Sequence, residues 1–122
     1  MKFKKRKNLT PEAIDNTTEA CAYEGVKYYP VFTSRRDGAT NFSMRLFEIA
    51  PGKSTAKHKH SYEHEVYILS GDGFLLLDDK KIKIGKDDCF LIEPYEFHQL
   101  IGGENKISFI CIVPNREKIQ PD

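Results

Sequence analysis

The sequence predicts an all-β fold, a small barrel or sandwich built from short strands. From Val26 onward, short apolar runs are separated by Gly, Pro, Asp and Asn, which is typical of strands joined by tight turns. Eight such runs occur in about ninety residues, a density typical of sandwiches and barrels. The apolar residues of this stretch show no helical periodicity, so nothing in it favours a helix-rich fold.

The predicted strands cover residues 27–33, 41–50, 63–69, 73–77, 81–84, 89–93, 97–101 and 106–113. In the segment LLLDDKKIKI, a tight Asp79-Lys80 turn joins two strands, and Ile82 and Ile84 alternate with lysines. One face of this hairpin is therefore expected to contact water. The last strand, ISFICIV, is apolar on both faces, so one face is expected to line the interior and the other to lie between sheets or subunits. This favours a homodimer.

The chain length of 122 residues fits one domain and is too short for two. With 39% hydrophobic and 30% charged residues, the composition is typical of soluble globular proteins. The pattern divides the chain into a basic N-terminal arm (1–22), a β-barrel domain (23–115) and a C-terminal tail (116–122). Thr10 before Pro11 and Glu12 predicts the cap and first turn of one short helix in the arm.

Positive charge is concentrated at the N-terminus. Residues 1–7 supply five of the 19 basic residues, and the rest of the chain has 14 basic against 18 acidic residues. A nucleic-acid groove needs basic residues clustered on a folded face, so we expect a solvated arm and no nucleic-acid partner. The sequence contains no apolar stretch typical of a secretory signal or a transmembrane span. We therefore expect a cytoplasmic protein with no membrane partner.

The three cysteines, Cys21, Cys89 and Cys111, are far apart and form no CxxC pair. This pattern fits neither a disulfide framework nor a thiolate zinc site. Cys89 and Cys111 lie in apolar runs, where cysteine behaves as a small hydrophobic residue, so both are expected to be buried and inert.

All four histidines of the chain fall where one metal ion can gather them. His58 and His60 are two residues apart, so both imidazoles project from the same face of an extended strand. His64 begins a strand that continues through Val66, whose apolar side chain turns that face inward. His98 starts another short strand, which pairing can bring to the same point. Surface or hydrogen-bonded histidines are the alternative, but one divalent cation at about 2.0–2.2 Å satisfies all four buried imidazoles.

Two segments of the chain resemble the paired motifs of the cupin superfamily. Residues 51–73 (PGKSTAKHKHSYEHEVYILSGDG) resemble the first motif through Gly52, His58, His60, the third-ligand position 64/65 and Gly71. Residues 85–100 (GKDDCFLIEPYEFHQL) resemble the second through Gly85, Pro94 and His98. The resemblance covers Val26 to Pro114 and implies a double-stranded β-helix, the jelly-roll or cupin barrel.

The resemblance requires a choice of third ligand between His64 and Glu65, because the family usually places a glutamate there. The usual interval counted back from Gly71 ends on His64, and strand alternation turns Glu65 to the opposite face, so His64 is preferred. The pattern HxHxxEHE resembles a cupin subgroup in which four histidines hold the metal. The second motif departs from the common form, since its spacing is one residue shorter and Gly102 stands where an asparagine is frequent.

The predicted cofactor is therefore one divalent transition metal ion, with His58, His60, His64 and His98 as ligands. Imidazole ligands do not distinguish Mn, Fe, Ni, Cu and Zn, and four of them leave about two positions open on a six-coordinate ion. The resemblance to quercetinase-type dioxygenases implies a metal-dependent enzyme, with dioxygenase-like or Lewis-acid chemistry on a small oxygenated or enol-type molecule. The alternative is a non-catalytic module that binds a small molecule or a sugar. An isomerase is a third possibility, but it needs a base, and no histidine remains for that role.

Two further side chains are candidates for the catalytic site. Tyr62 lies in the bend between the metal-binding histidines and is a candidate donor to a bound substrate, the alternative being a packing or rim aromatic. Arg45 can bind an anionic substrate if it points inward. Because Met44 and Leu46 look core-facing, we expect Arg45 to point outward into a salt bridge.

The surroundings of the metal site are less specified by the sequence. Glu63 and Glu65 either orient ligand imidazoles, as metal-bound histidines usually require, or lie on the surface. The residues expected to line the barrel and set the size of its pocket are Phe90, Ile92, Leu100 and Phe109.

Overall fold

The computed structural model describes residues 3–12 and 24–115. Its elements are β1 (Val26–Phe32), α1 (Ser34–Asp37), β2 (Phe42–Ile49), β3 (His64–Ser70), β4 (Asp72–Leu77), β5 (Lys80–Gly85), β6 (Cys89–Ile92), β7 (His98–Gly102) and β8 (Ile107–Pro114). The strands form two antiparallel sheets, with the orders β1-β2-β8-β3-β6 and β5-β4-β7. All eight predicted strands are present, and each end lies within one residue of its predicted position. The predicted all-β fold is confirmed.

The core lies between the inward faces of the two sheets. Burial alternates along the central strands, so Val66 and Ile68 of β3 are buried while the residues beside them are exposed. Phe47 of β2 stacks on Phe109 of β8, with 5.4 Å between the ring centroids. The buried apolar residues are Tyr28, Phe47, Ile49, Val66, Ile68, Leu75, Ile84, Ile92, Leu100, Ile107, Phe109, Cys111 and Val113.

The segment 54–58 extends the smaller sheet beyond β7. Single antiparallel bridges join Ser54 to Ile101 and His58 to His98. Between these bridges, the Thr55 amide donates to the Leu100 carbonyl at 3.0 Å, and the Thr55 hydroxyl accepts from the Leu100 amide at 3.0 Å. The chain before β3 is therefore fixed against β7, although it forms no regular strand.

Two local features differ from the sequence-based expectation. The β4–β5 hairpin turns at Asp78 and Asp79, one residue earlier than predicted, and Asp78 takes a left-handed φ of 52°. Helix α1 is a single turn of 4 residues, capped by Thr33, whose side chain accepts from an amide of the helix, and ended by Gly38 at φ 70°. A helix of one turn is too short to show the apolar periodicity that predicts longer helices.

The described part of the N-terminal arm is largely exposed, as a solvated arm predicts, but two of its basic residues contact the body. Arg6 forms an ion pair with Asp37, and its guanidinium lies 5.2 Å from the ring centroid of Phe32. Lys4 Nζ donates to the Asp37 carbonyl at 3.0 Å. The arm is thus attached to the body through α1.

The predicted helix start in the arm is wrong at Glu12. The Glu12 amide donates to the Tyr28 carbonyl at 2.8 Å, so this residue is extended and bridges to β1. Cys21 and the predicted tail, residues 116–122, lie outside the described residues, and the division into arm, barrel and tail stays a prediction. Within residues 3–12 and 24–115, no helix has the length and hydropathy needed to span a membrane.

The outward face of the larger sheet is also apolar. Leu46, Ile110 and Tyr67 lie in register across β2, β8 and β3, and Leu91 on the neighbouring β6 is 52% exposed. This arrangement agrees with the two apolar faces expected for the ISFICIV strand. The homodimer stays a prediction, which light scattering in solution tests.

The tight β3–β4 connection predicts a strong effect of Gly71→Ala. Gly71 has a φ of +86°, and a Cβ there would lie 1.9 Å from the Lys106 carbonyl oxygen. Left-handed strain and the steric clash together should lower the free energy of unfolding by about 3 kcal/mol. Urea-induced unfolding of the purified variant measures this change.

Gly52→Ala is the matched control. Gly52 has a similar φ of +71°, but nothing lies within 4 Å of the position of an added Cβ. This variant should lose only about 1 kcal/mol, the cost of the left-handed backbone for a residue with a side chain. Equal losses in the two variants would show that the contact with Lys106 does not constrain this connection.

Candidate metal centre

Three buried histidines come together inside the barrel. His60 lies just before β3, His64 is the first residue of β3 and His98 is the first residue of β7. One ring nitrogen from each lies within 4.8 Å of those of the other two. This group of three imidazoles can hold one metal ion. Its members are three of the four predicted ligands.

The backbone brings these distant sequence segments together. His58 and His98 form two reciprocal hydrogen bonds, from the His58 amide to the His98 carbonyl at 2.9 Å and from the His98 amide to the His58 carbonyl at 2.8 Å. A third bond, of 2.6 Å, joins the Tyr95 amide to the His60 carbonyl. Main-chain hydrogen bonds therefore hold the first histidine pair near the start of β7.

His58, the fourth predicted ligand, stands slightly apart from the other three. It is half-buried and lines the same cavity, with its ring centroid 5.1 Å from that of His60 and 6.4 Å from that of His98. It is outside the group whose ring nitrogens lie within 4.8 Å of one another. Its role as a ligand stays a prediction.

Hydrogen bonds to the Nδ1 atoms orient two of the imidazoles. His98 Nδ1 lies 3.0 Å from the Glu96 carbonyl, which can only accept, so the proton is on Nδ1 and the Nε2 lone pair is available. His64 Nδ1 lies 3.1 Å from Cys111 Sγ, and His64 Nε2 is buried with no hydrogen-bond partner. A buried nitrogen without a partner is costly, and a metal ion at this position would satisfy it, so the residues present fit a divalent metal.

The environment keeps the imidazoles in the neutral form that binds metals. Burial, with the nearby Arg45 charge as the next cause, lowers the pKa of His64 to about 2. Burial also lowers the pKa of His98, although the hydrogen bond to Glu96 opposes the shift. Both rings are therefore neutral near pH 7.

The histidines stand at one side of a cavity of about 400 Å³, counting the space at its mouth. Its lining is mostly apolar, with one cation and one thiol among the remaining residues. The lining residues are Arg45, Phe47, Thr55, His58, His60, His64, Val66, Ile92, His98, Leu100, Phe109 and Cys111. This confirms three of the four residues expected to line the barrel, while Phe90 is half-buried and packs against the core.

Arg45 points inward, so the expected outward salt bridge is wrong. Its side chain is buried at 7% exposure, its Nη2 lies 3.3 Å from Cys111 Sγ, and its guanidinium lies 5.2 Å from the ring centroid of Phe47. The expectation assumed that Met44 and Leu46 face the core, but both are on the outer face of β2. Because that outer face is apolar as well, the residue types around Arg45 do not show which way it points.

Tyr62 packs against the imidazoles. Its ring stacks on His60 with 4.7 Å between centroids and on His64 with 5.3 Å. It is half-buried and is not among the residues that line the cavity. These contacts fit the packing alternative, and its role as a donor to substrate stays a prediction.

The two glutamates beside the histidines lie on the surface. Glu63 and Glu65 are both exposed, and the β3 pattern turns His64 inward and Glu65 outward, as the strand alternation predicts. The Nδ1 partners of His98 and His64 are a carbonyl and a thiol, not these carboxylates. Of the two candidates for the third position, His64 alone faces the cavity.

Cys111 is the site residue that sequence reasoning missed. It is buried as expected, but it contacts both His64 and Arg45, while Cys89, also expected to be buried, is exposed. Burial raises the pKa of the Cys111 thiol. The signal that places Cys111 at the cavity is its position between Phe109 and Val113 on the inward face of β8.

Position 102 explains one departure from the usual second motif. Gly102 is buried, and a Cβ added there would lie 2.4 Å from the Ala50 carbonyl oxygen. An asparagine therefore does not fit at this point of the chain without a shift of its neighbours.

Comparisons with known proteins agree on one family. Residues 45–113 match the family model described as the cupin domain. The polyketide cyclase RemF from Streptomyces resistomycificus is 26% identical, with a TM-score of 0.78 over 93% of this chain and 79% of that chain. A cupin 2 domain-containing protein from Halorhodospira halophila is 29% identical, with a TM-score of 0.70 over 80% of this chain and 71% of that chain.

Two further relatives bear on the fold and on the extent of the match. A predicted oxalate decarboxylase from Thermotoga maritima shares the fold, with 22% identity and a TM-score of 0.73 over 88% of this chain and 94% of that chain. An uncharacterized protein of Methanocaldococcus jannaschii is 34% identical over 62 residues, 49% of this chain and 50% of its own length. The match therefore spans about half of that curated relative.

The histidine cluster predicts that the purified protein holds a divalent metal. Wild type loaded with zinc and dialysed should retain about one equivalent per chain, and His64→Ala and His98→Ala should each retain far less, because each loses a ligand. Elemental analysis measures the content. Glu65→Ala is the control, since Glu65 is exposed and should not change it. Full metal content in both histidine variants would contradict the assignment of this site.

The lowered pKa of His64 predicts a pH-dependent stability of the metal-free protein. In the unfolded chain His64 titrates near 6.5, whereas in the fold it stays neutral until about pH 2. As the pH falls from 7 to 5, the unfolded state gains a proton that the folded state does not. The free energy of unfolding should therefore fall by about 2 kcal/mol from this residue alone. Urea titrations in the presence of a chelator measure it, and a His64→Gln variant with the same pH slope would refute this origin.

Proposed function

This chain belongs to the cupin family, and on that premise we propose that it is a metal-dependent enzyme acting on a small oxygenated, enol-type molecule. The fold is the jelly-roll barrel of that family. Because folds of this kind host many unrelated activities, the activity is inferred from the residues of the site. The observation that carries it is a cluster of three buried imidazoles at one side of a cavity that opens to solvent. Two of them, His64 and His98, are neutral and oriented by hydrogen bonds.

The ligands define the class of chemistry. We propose His58 as the fourth ligand, because its ring lines the same cavity as the other three. Nitrogen ligands carry no charge, so a divalent ion keeps its full positive charge and about two open positions. When bound, the metal supplies Lewis-acid stabilisation of negative charge on an oxygen, or dioxygen activation. Mn, Fe, Ni, Cu and Zn all fit this ligand set.

The protein side chains supply orientation and exclusion of water. The hydrogen bonds from His98 Nδ1 to the Glu96 carbonyl and between His64 Nδ1 and Cys111 fix the two rings. Tyr62 stacks on the neighbouring faces of His60 and His64 and acts through them as a positioning residue. The apolar walls exclude water from a bound substrate, which strengthens electrostatic interactions within the cavity.

The names of two compared proteins support an enzyme over a binding module. One is a polyketide cyclase and the other a predicted oxalate decarboxylase. This chain has a histidine cluster that can hold a metal ion, at one side of a cavity that a substrate can enter, and both features suit such catalysis. A non-catalytic module that binds a small molecule or a sugar needs neither the open metal positions nor oriented ligands.

Metal-loaded wild type should consume at least one member of a panel of enols, catechols and β-dicarbonyl compounds. Oxygen uptake at an electrode detects dioxygenase-like chemistry, and loss of substrate by chromatography detects Lewis-acid chemistry. His98→Ala should lower the rate by at least about 100-fold, because the metal is lost or misplaced. Glu65→Ala should keep the wild-type rate.

The same panel separates the two functions. Compounds that bind to metal-loaded protein but are neither oxidised nor otherwise converted would identify a binding module and overturn the proposed enzyme. His58→Ala tests the fourth ligand separately, since a variant with full metal content would show that three histidines suffice.

A further inference from the structure

The geometry points to a second binding element in the cavity, beyond the metal. We propose that the guanidinium of Arg45 is a carboxylate-binding subsite, so that the substrate is a small carboxylic acid that also presents an oxygen to the metal. This inference rests on the proposed metal-dependent function and narrows its substrate class.

Strand register places Arg45 in the cavity, next to Cys111. Arg45 of β2 is paired directly with Cys111 of β8, and both side chains point into the cavity. Arg45 is 7% exposed, and its guanidinium lies over Phe47. The cation is therefore fixed among apolar walls and does not extend to bulk water.

The charge of Arg45 is not balanced by the described residues. Within residues 3–12 and 24–115, no carboxylate forms an ion pair with it. One hydrogen bond reaches Cys111 Sγ, which is a weak acceptor, and Arg45 Nε is buried with no hydrogen-bond partner. A buried cation in this state is unfavourable for stability, and an anionic ligand would restore both the charge balance and the missing hydrogen bond.

The distance to the metal site fits a small bifunctional ligand. Cys111 Sγ lies 3.3 Å from Arg45 Nη2 and 3.1 Å from His64 Nδ1, so these two nitrogens are separated by no more than the sum of the two distances. His64 Nε2, the nitrogen left for the metal, lies across the same imidazole ring from Nδ1. A molecule of a few heavy atoms can place a carboxylate on Arg45 while a keto or enol oxygen faces the histidine cluster. The planar guanidinium matches the two oxygens of a carboxylate.

The rest of the cavity limits the remainder of the ligand. Apart from Arg45, Cys111, Thr55 and the histidines, the lining is aliphatic and aromatic. The volume of about 400 Å³ includes open solvent at the mouth, so the space within the cavity itself suits only a small substituent. The expected class is therefore a small 2-oxo, 3-oxo or enol acid with an apolar substituent.

Acetoacetate and acetylacetone test the subsite directly. They share a 2-oxopropyl group, whose keto oxygen can face the metal, and differ in that acetoacetate carries a carboxylate where acetylacetone carries an acetyl group. Calorimetry on zinc-loaded wild type should show at least tenfold tighter binding of acetoacetate. Arg45→Met should lose this preference while binding acetylacetone as wild type does, and Arg45→Lys should keep part of it. Elemental analysis confirms equal zinc content in all three proteins.

A stability measurement separates binding from a structural role. If Arg45 is kept for a ligand, replacing an unbalanced buried cation with an apolar side chain of similar length should leave the melting temperature unchanged or raise it. A markedly lower melting temperature for Arg45→Met, together with an unchanged preference for acetoacetate in Arg45→Lys and Arg45→Met, would overturn the subsite.

The failure of this inference and that of the proposed function are distinguishable. Zinc-loaded wild type that binds both probes equally, or Arg45→Met that keeps the preference, overturns the carboxylate subsite and leaves the metal site intact. Wild type that retains none of Mn, Fe, Ni, Cu and Zn overturns the proposed function. In that case, acetoacetate binding is compared between the zinc-free wild type and zinc-free Arg45→Met. Binding that is lost in Arg45→Met supports the carboxylate subsite, and equal binding to the two proteins overturns the subsite.

Discussion

The reciprocal backbone hydrogen bonds between His58 and His98 are the constraint on which the site depends. They join segments 40 residues apart, and because they fix main-chain atoms they bring the two histidine-bearing segments together. Once this bridge is formed, His60 and His64 are placed by the short bend between segment 54–58 and β3. The hydrogen bonds between Thr55 and Leu100 hold the same segment against β7, three residues before His58. The histidine cluster is thus a consequence of strand pairing.

The site is assembled at a cost to the stability of the fold. Burial of neutral imidazoles removes them from water, and the lowered pKa values of His64 and His98 show how unfavourable a charge would be there. The burial of the Arg45 cation adds to this cost. The stacked rings of Phe47 and Phe109 and the alternating aliphatic residues of β3 supply the compensating apolar burial around the site. Polar groups that lower the stability of a core are retained where a ligand uses them.

The fold and the histidine cluster are readable from the sequence because both depend on short-range patterns. Alternation along β3 distinguishes His64 from Glu65, and turn residues mark the strand ends to within one residue. Arg45 is different, since its neighbours Met44 and Leu46 are apolar although they lie on the outward face of β2, so the alternation of residue types does not show which way Arg45 points. Only the pairing with Cys111 across the sheet shows the inward direction. The ion pair between Arg6 and Asp37 also cannot be predicted from the sequence, because it joins residues far apart in the chain and no local sequence pattern marks it.

The two cations of the proposed site act on each other in a way that favours a joint ligand. The charge of Arg45 lowers the pKa of His64, which keeps the imidazole available to a metal, yet the same charge repels a divalent ion nearby. In an apolar cavity this repulsion is weakly screened, so each cation alone is less favourable than in water. An anion that contacts both the Arg45 guanidinium and the metal ion offsets the repulsion between these two cations and is attracted by each of them. In the proposed site, metal and anionic ligand should therefore bind with positive cooperativity.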